Sequence, residues 1–263
     1  MKKLAFLGAG NMAYAIVKGM QNADITVYDK MTSQYDKFDS TVKRASSATD
    51  AVANADYIFL AVKPQNFPEL LCELKESGVC LDGKTFVSIA AGISCESICR
   101  NLGKTVAVIR TMPNTPLMIG KGVTALSRNE MVSDGDFNEI VNTFALLGKT
   151  MILPESKMNA VIAATSSAPA YVYHFIDAIC KEAKAEGIDA PELLTAVCAM
   201  VSGSAEMLMS TGRSPEELIK MVTSPKGTTE RAMNVLYEEG FADTVAKAMQ
   251  ACTDRAEELS KNY

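Results

Sequence analysis

The chain has 263 residues, 48% hydrophobic and 22% charged. That balance suits a soluble globular protein of one large or two small domains and excludes disordered, collagen-like and coiled-coil classes. Twenty-six basic against thirty-one acidic residues leave a net charge of −5, which argues against a nucleic-acid-binding face. A single histidine, His174, excludes a multi-histidine metal site, and no metal is expected. Seven cysteines without a CxxC pair read as reduced, mostly buried thiols of a cytoplasmic protein.

The first half alternates short apolar runs with helical spacing. Leu4–Leu7, ended by glycines, predicts a buried strand, and Met12, Ile16, Val17 and Met20 follow at helical intervals. Strands are predicted at 25–28, 57–62, 85–91, 105–111, 122–127 and 150–153. Helices are predicted at 50–55, 66–77, 94–102 and 133–147. This pattern means an α/β unit with a parallel sheet covered on both faces, over residues 1–154.

After Pro154 the strand signals stop, so residues 155–263 read as an all-α domain. Asn159–Ile176 carries no formal charge, yet Thr165, Ser166, Ser167, Pro169 and His174 make it a poor membrane span. It predicts the central helix of an α-helical core, one able to be shared between subunits. The N-terminal Lys2-Lys3 and Leu4–Leu7 imitate a leader, but Gly8, Gly10 and Asn11 break the apolar run too early. No membrane partner is expected. Ser214-Pro-Glu-Glu217 predicts a capping box with proline at the first helical position.

Gly8-Ala9-Gly10-Asn11-Met12-Ala13 lies between the first strand and the first helix. A glycine for the tight turn, a second for close approach of a pyrophosphate, and the small Ala13 for helix–strand packing make a dinucleotide-binding turn. The helix N-terminus then presents its positive dipole end, through Asn11 and Met12, to the phosphates. Asp29, 21 residues beyond Gly8, is placed to accept from a ribose 2′-OH, as for NAD, whereas its neighbour Lys30 suits the 2′-phosphate of NADP. The pair leaves NADH against NADPH open. Ala61-Val62-Lys63-Pro64 closes one strand, Ala90-Ala91-Gly92 the next with room for a flat ring, and Met112–Pro116, with Asn114, a third. Strand ends of this kind line the ligand crevice of an open α/β sheet, although each alone is also ordinary strand-to-loop punctuation.

In the helical half, Val222-Thr-Ser-Pro-Lys-Gly-Thr-Thr229 precedes a helix expected to begin near Glu230. Its glycine, hydroxyls and N–H donors suit a carboxylate or phosphate; a plain N-cap by Thr228 or Thr229 is the alternative.

These pieces together resemble bacterial pyrroline-5-carboxylate reductases. The stretches that carry the resemblance are FLGAGNMAYAIVKGM, DYIFLAVKPQ, VSIAAGIS, MPNTP, SAPAYVYHFIDA and MVTSPKGTTERAM, in order over nearly the whole chain. The resemblance implies a Rossmann-like doubly wound sheet followed by an all-α dimerisation domain. It also implies reduction of 1-pyrroline-5-carboxylate to L-proline with NADPH or NADH, and a homodimer able to assemble into decamers. It implies that Ser224, Gly227, Thr228 and Thr229, with Asn114, receive the substrate, Thr229 near the ring nitrogen. Two positions depart from the family pattern: Ser166 replaces a glycine, and Lys226 replaces the first glycine of a Gly-Gly pair. If position 226 needs positive φ, lysine costs on the order of 1–2 kcal/mol there. A 3-hydroxyacid dehydrogenase and a non-catalytic NAD(P)-sensing module are the competing readings. The first expects a lysine and an asparagine on one helix face, but Lys157 and Asn159 are two apart.

Overall fold

A computed structural model of the chain describes residues 2–20 and 23–262. Strands β1 (Lys3–Leu7), β2 (Asp24–Tyr28), β3 (Lys43–Arg44), β4 (Tyr57–Leu60), β5 (Thr85–Ser88), β6 (Ala107–Met112), β7 (Gly122–Arg128) and β8 (Gly148–Ile152) form one sheet. Their order is β3-β2-β1-β4-β5-β6-β7-β8, so the winding reverses between β1 and β4. Helices α1 (Asn11–Gly19), α2 (Ala48–Ala53), α3 (Phe67–Glu76), α4 (Cys95–Leu102) and α5 (Asp134–Ala145) connect the strands. The predicted elements are all present; the two-residue β3 and the 3-10 turn Thr32–Lys37 carried no periodic signal.

Residue alternation along each strand makes the two faces. Phe6, Val27 and Phe59 pack with Ile16 of α1 and with Phe137, Ile140 and Phe144 of α5. Ala5, Leu7, Ile58 and Leu60 pack on the other face with α2, α3 and α4. Phe6 and Phe59, adjacent across β1 and β4, stack with centroids 4.3 Å apart.

The sheet is not wholly parallel, which corrects the expectation. β7 runs antiparallel to β6, and β8 is parallel to β7. The reason is the link: between β6 and β7 lies only a short stretch containing the 3-10 turn Thr115–Ile119, too short for the crossover of a dozen or more residues that a parallel pair needs.

By packing, Met1–Pro169 with Ala251–Tyr263 form one unit and Ala170–Gln250 another. In the first unit Arg110 of β6, nearly buried, meets Glu155 at 3.2 Å and Asn159 at 3.1 Å. Asn159 donates in turn to Ser260 at 3.0 Å. These bonds fasten 155–159 and the end of α10 (Phe241–Asn262) to the sheet, where Ala256 packs with Met112, Ala125, Met158 and Ile162.

The expected single helix across Asn159–Ile176 is interrupted. Ile162–Ser166 is a π-helical turn, closed by the Ser167 N–H on the Ile162 carbonyl, and α6 (Ala168–Ala185) starts afresh. Only its leading part is buried; α6 has no buried residue within the single chain, and His174 is exposed. The second unit holds most of α6, α7 (Leu193–Thr211), α8 (Pro215–Val222), α9 (Thr228–Glu238) and the start of α10. Large apolar residues on it are exposed, among them Tyr173, Phe175, Leu194, Met209, Val222 and Tyr237. The capping box at α8 forms as expected: Ser214 accepts from the Glu217 N–H, and Glu217 accepts from the Ser214 N–H at 2.7 Å.

Candidate functional site

A cleft of about 520 Å³ opens at the carboxyl ends of β1, β2 and β4, where the winding reverses. Gly8, Gly10, Asp29, Lys30, Ala61, Val62 and Lys63 all line it. Gly8 is at φ +105°, and a Cβ there would lie 2.6 Å from the Ala61 carbonyl group. The turn thus sits against the end of β4, which needs glycine. At Gly10 a Cβ would meet no protein atom within 4 Å. Gly10 is the N-cap of α1 and brings no side chain to satisfy the first turn. Open space over uncapped N–H groups is the cradle a pyrophosphate needs, so the turn fits a dinucleotide.

Asn11 and Met12 begin α1. Met12 packs toward the core, and Ala13 is buried against the sheet as the small residue should be. Pro64 opens the 3-10 turn Pro64–Asn66 beside Lys63.

Asp29 does more than end β2. One carboxylate oxygen accepts from the Ala9 N–H at 2.7 Å and the other from the Met31 N–H at 2.8 Å. The Tyr35 hydroxyl accepts from the Asp29 N–H and donates to its carbonyl. Lys30 pairs with Glu69, also on the cleft wall, at 2.7 Å; that hydrogen bond is the main reason its ammonium is held above the usual lysine value. Burial, followed by Glu73, pushes the Tyr28 phenol upward. Tyr35 and Glu69 were not legible as site residues, because no motif spacing marks a phenol or an acid that acts by holding a neighbour.

Of the predicted residues in this unit, Asn11, Met12, Pro64, Ala90, Ala91, Gly92 and Asn114 do not line this cleft. Ala90 is buried in the core, and Ala91 packs near Met112. The room beside Gly92 is filled by α10, since a Cβ there would meet Leu259 at 2.9 Å. Asn114 is almost buried and its amide is spent within the fold: it donates to the Thr165 carbonyl at 3.1 Å and accepts from the Val123 N–H at 2.8 Å. In this fold Asn114, expected as a substrate ligand, ties β7 to the π-helical turn and does not line the cleft.

In the second unit the expected turn before α9 is formed. Gly227, not a threonine, is the N-cap of α9, and the helix starts at Thr228, earlier than expected. The Gly227 N–H donates to the Ser224 carbonyl at 2.9 Å, and a Cβ on Gly227 would strike the Ser224 side chain. No side chain caps the helix, so the first-turn N–H groups and the hydroxyls of Thr228 and Thr229 lie at one helix end. Lys226 adopts φ +61°, the conformation that its replaced glycine would favour, and its N–H donates to Glu230 at 2.8 Å.

Residues 155–259 match the family described as pyrroline-5-carboxylate reductase dimerisation, and residues 3–92 match NADP oxidoreductase coenzyme F420-dependent. The chain is 36% identical to pyrroline-5-carboxylate reductase of Escherichia coli K12 over 99% of both chains. It is 35% identical to that of Vibrio alginolyticus over 100% of this chain and 99% of the other. Among solved structures, a pyrroline-5-carboxylate reductase from Coxiella burnetii superposes with TM-score 0.87 at 30% identity, covering 98% of each chain.

Proposed function

The chain belongs to the pyrroline-5-carboxylate reductase family, and on that premise we infer that it reduces 1-pyrroline-5-carboxylate to L-proline with NAD(P)H, the last step of proline biosynthesis. The observation that carries the reading is the cleft over Gly8 and Gly10, in a chain matched end to end by that reductase.

When bound, the reduced nicotinamide supplies a hydride to the imine carbon. The substrate nitrogen, arriving protonated, keeps its proton as the amine forms, so no strong general acid is required of a chain with one exposed histidine. In this reading Gly8, Gly10, Asn11 and Met12 seat the pyrophosphate, Asp29 and Lys30 face the adenosine ribose, and 61–64 with 90–92 form the nicotinamide side. The turn Ser224, Gly227, Thr228, Thr229 receives the carboxylate, and Thr229 orients the ring nitrogen. The reacting carbons must be held about 3–3.5 Å apart. Functionally, residues 1–154 carry the nucleotide and 155–263 the substrate and the subunit contact.

The exposed apolar faces of α6 to α9 suit a second copy of the chain, and we extend this to a homodimer that can build decamers in the cytoplasm. By length and composition α7 could cross a membrane, with mean hydropathy 1.5, but a dimerisation region explains its apolar surface without lipid. Asn159 is committed to Arg110 and Ser260, which weighs against the 3-hydroxyacid dehydrogenase alternative.

Consumption of NADH and NADPH with pyrroline-5-carboxylate, against a linear keto acid, tests the reading. Thr229→Ala should lower kcat tenfold or more with coenzyme affinity near normal. Full turnover in that variant removes Thr229 from the mechanism, and coenzyme binding without turnover of any imine favours the sensing module.

A further inference from the structure

We propose that this chain takes NADH in preference to NADPH, and that the fixed carboxylate of Asp29 sets the choice. The inference rests on the hydride-transfer reading above and concerns the coenzyme alone.

Asp29 stands on the cleft wall at the end of β2, held from four directions. Its two oxygens accept from the N–H groups of Ala9 and Met31, and its own N–H and carbonyl are both bonded to the buried Tyr35 hydroxyl. It cannot swing aside without giving up the glycine turn it closes. Each oxygen still has a second lone pair, so the group can accept from a ribose hydroxyl. A 2′-phosphate offers only acceptors and a charge of about −1.5 to −2 at neutral pH.

Binding that phosphate requires a cation turned toward it, and among the described residues each cation beside Asp29 already has a partner. Lys30 is paired with Glu69 at 2.7 Å, which adds a second acid to the same wall. Lys37 donates to Gln34 at 2.6 Å and reaches Asn11 at 3.4 Å. Arg44 lies over the Tyr35 ring, 5.2 Å from its centre, and lines a separate hollow with Lys3 and Asp50. Lys63 follows β4, two strands from β2 across β1, a separation of about 10 Å at the usual strand spacing. Among the described residues the adenosine end therefore offers a hydroxyl acceptor, a second acid and no cation without a partner of its own.

The test is titration of the full-length protein with NADH and with NADPH, followed by nicotinamide fluorescence at one ionic strength. NADH should bind at least tenfold more tightly. Asp29→Asn should shrink the ratio to threefold or less, with folding checked by circular dichroism. Since Asp29 also shapes the turn, Glu69→Gln provides a second arm: at an exposed site, it should tighten NADPH about threefold and NADH by less, so that the ratio narrows. Equal or tighter binding of NADPH by the unaltered protein overturns the proposal, as does an unchanged ratio in a folded Asp29→Asn variant. Failure to bind either coenzyme overturns the reductase reading itself, a distinct result.

Discussion

Gly8 and Ala61 approach so closely that a methyl group on Gly8 would lie 2.6 Å from both the carbonyl carbon and oxygen of Ala61. The contact joins β1 to the end of β4 at the point where strand order reverses. It makes the floor of the cleft depend on one missing side chain.

Gly8→Ala should therefore harm both folding and coenzyme binding. The backbone at φ +105° disfavours any side chain, and the methyl group must also push Ala61 and Val62 away. We expect a loss of about 2–4 kcal/mol in unfolding free energy and at least tenfold weaker coenzyme binding. Denaturant unfolding and fluorescence titration check both; wild-type values in each would show that the turn can relax.

Lys226→Gly should act in the opposite direction. Lysine is held at φ +61°, where an L-residue pays about 1–2 kcal/mol. Glycine removes that strain and keeps the N–H bond to Glu230, but it loosens the unfolded chain by about 0.4–1 kcal/mol. The net expectation is a gain of between about zero and about 1.6 kcal/mol. A denaturation midpoint shifted downward would contradict this. A raised KM for pyrroline-5-carboxylate in the same variant would assign the ammonium a part in carboxylate binding.

Acid should weaken the fold through Asp136. Its carboxyl is held below the usual 3.8, first by the Ser133 hydroxyl, next by the Tyr57 hydroxyl and then by Lys2. The unfolded chain then takes up the proton more readily than the folded one. The stabilisation is complete above the unfolded value and is lost as pH falls through the lower folded value. Asp136→Asn should lower the melting temperature at pH 7 and flatten its decline below about pH 4. Parallel melting curves of the two proteins across that range would refute the assignment.

Features with a local cause were legible in the amino-acid sequence. Gly8, Gly10 and Ala13 act over six residues, and Ser214 with Glu217 over four; each motif carries its own geometry. The direction of β7 depended on the length of one link and could be inferred only by comparing it with the span of a crossover. Asn114 resembled a ligand because a polar residue at a strand end often is one, yet its amide meets Thr165, 51 positions away. The break at 162–166 was hidden because an apolar run keeps the same composition whether its turns close at four residues or five. Asp29 was placed correctly at the end of β2, but the part played by Tyr35 in holding it arises only when the chain folds back.

The helical unit is spliced into the first unit, leaving it after Pro169 and returning at Ala251. Asn159, Gly92 and the cluster around Met158 therefore depend on Ser260, Leu259 and Ala256, which return to the sheet only after the whole helical unit. The glycine turn forms from neighbouring residues, but this far side of the sheet stays unsealed until the chain beyond Ala251 rejoins it. Disrupting the closing turns of α10 thus disturbs the nucleotide-binding part of the molecule, not merely that helix.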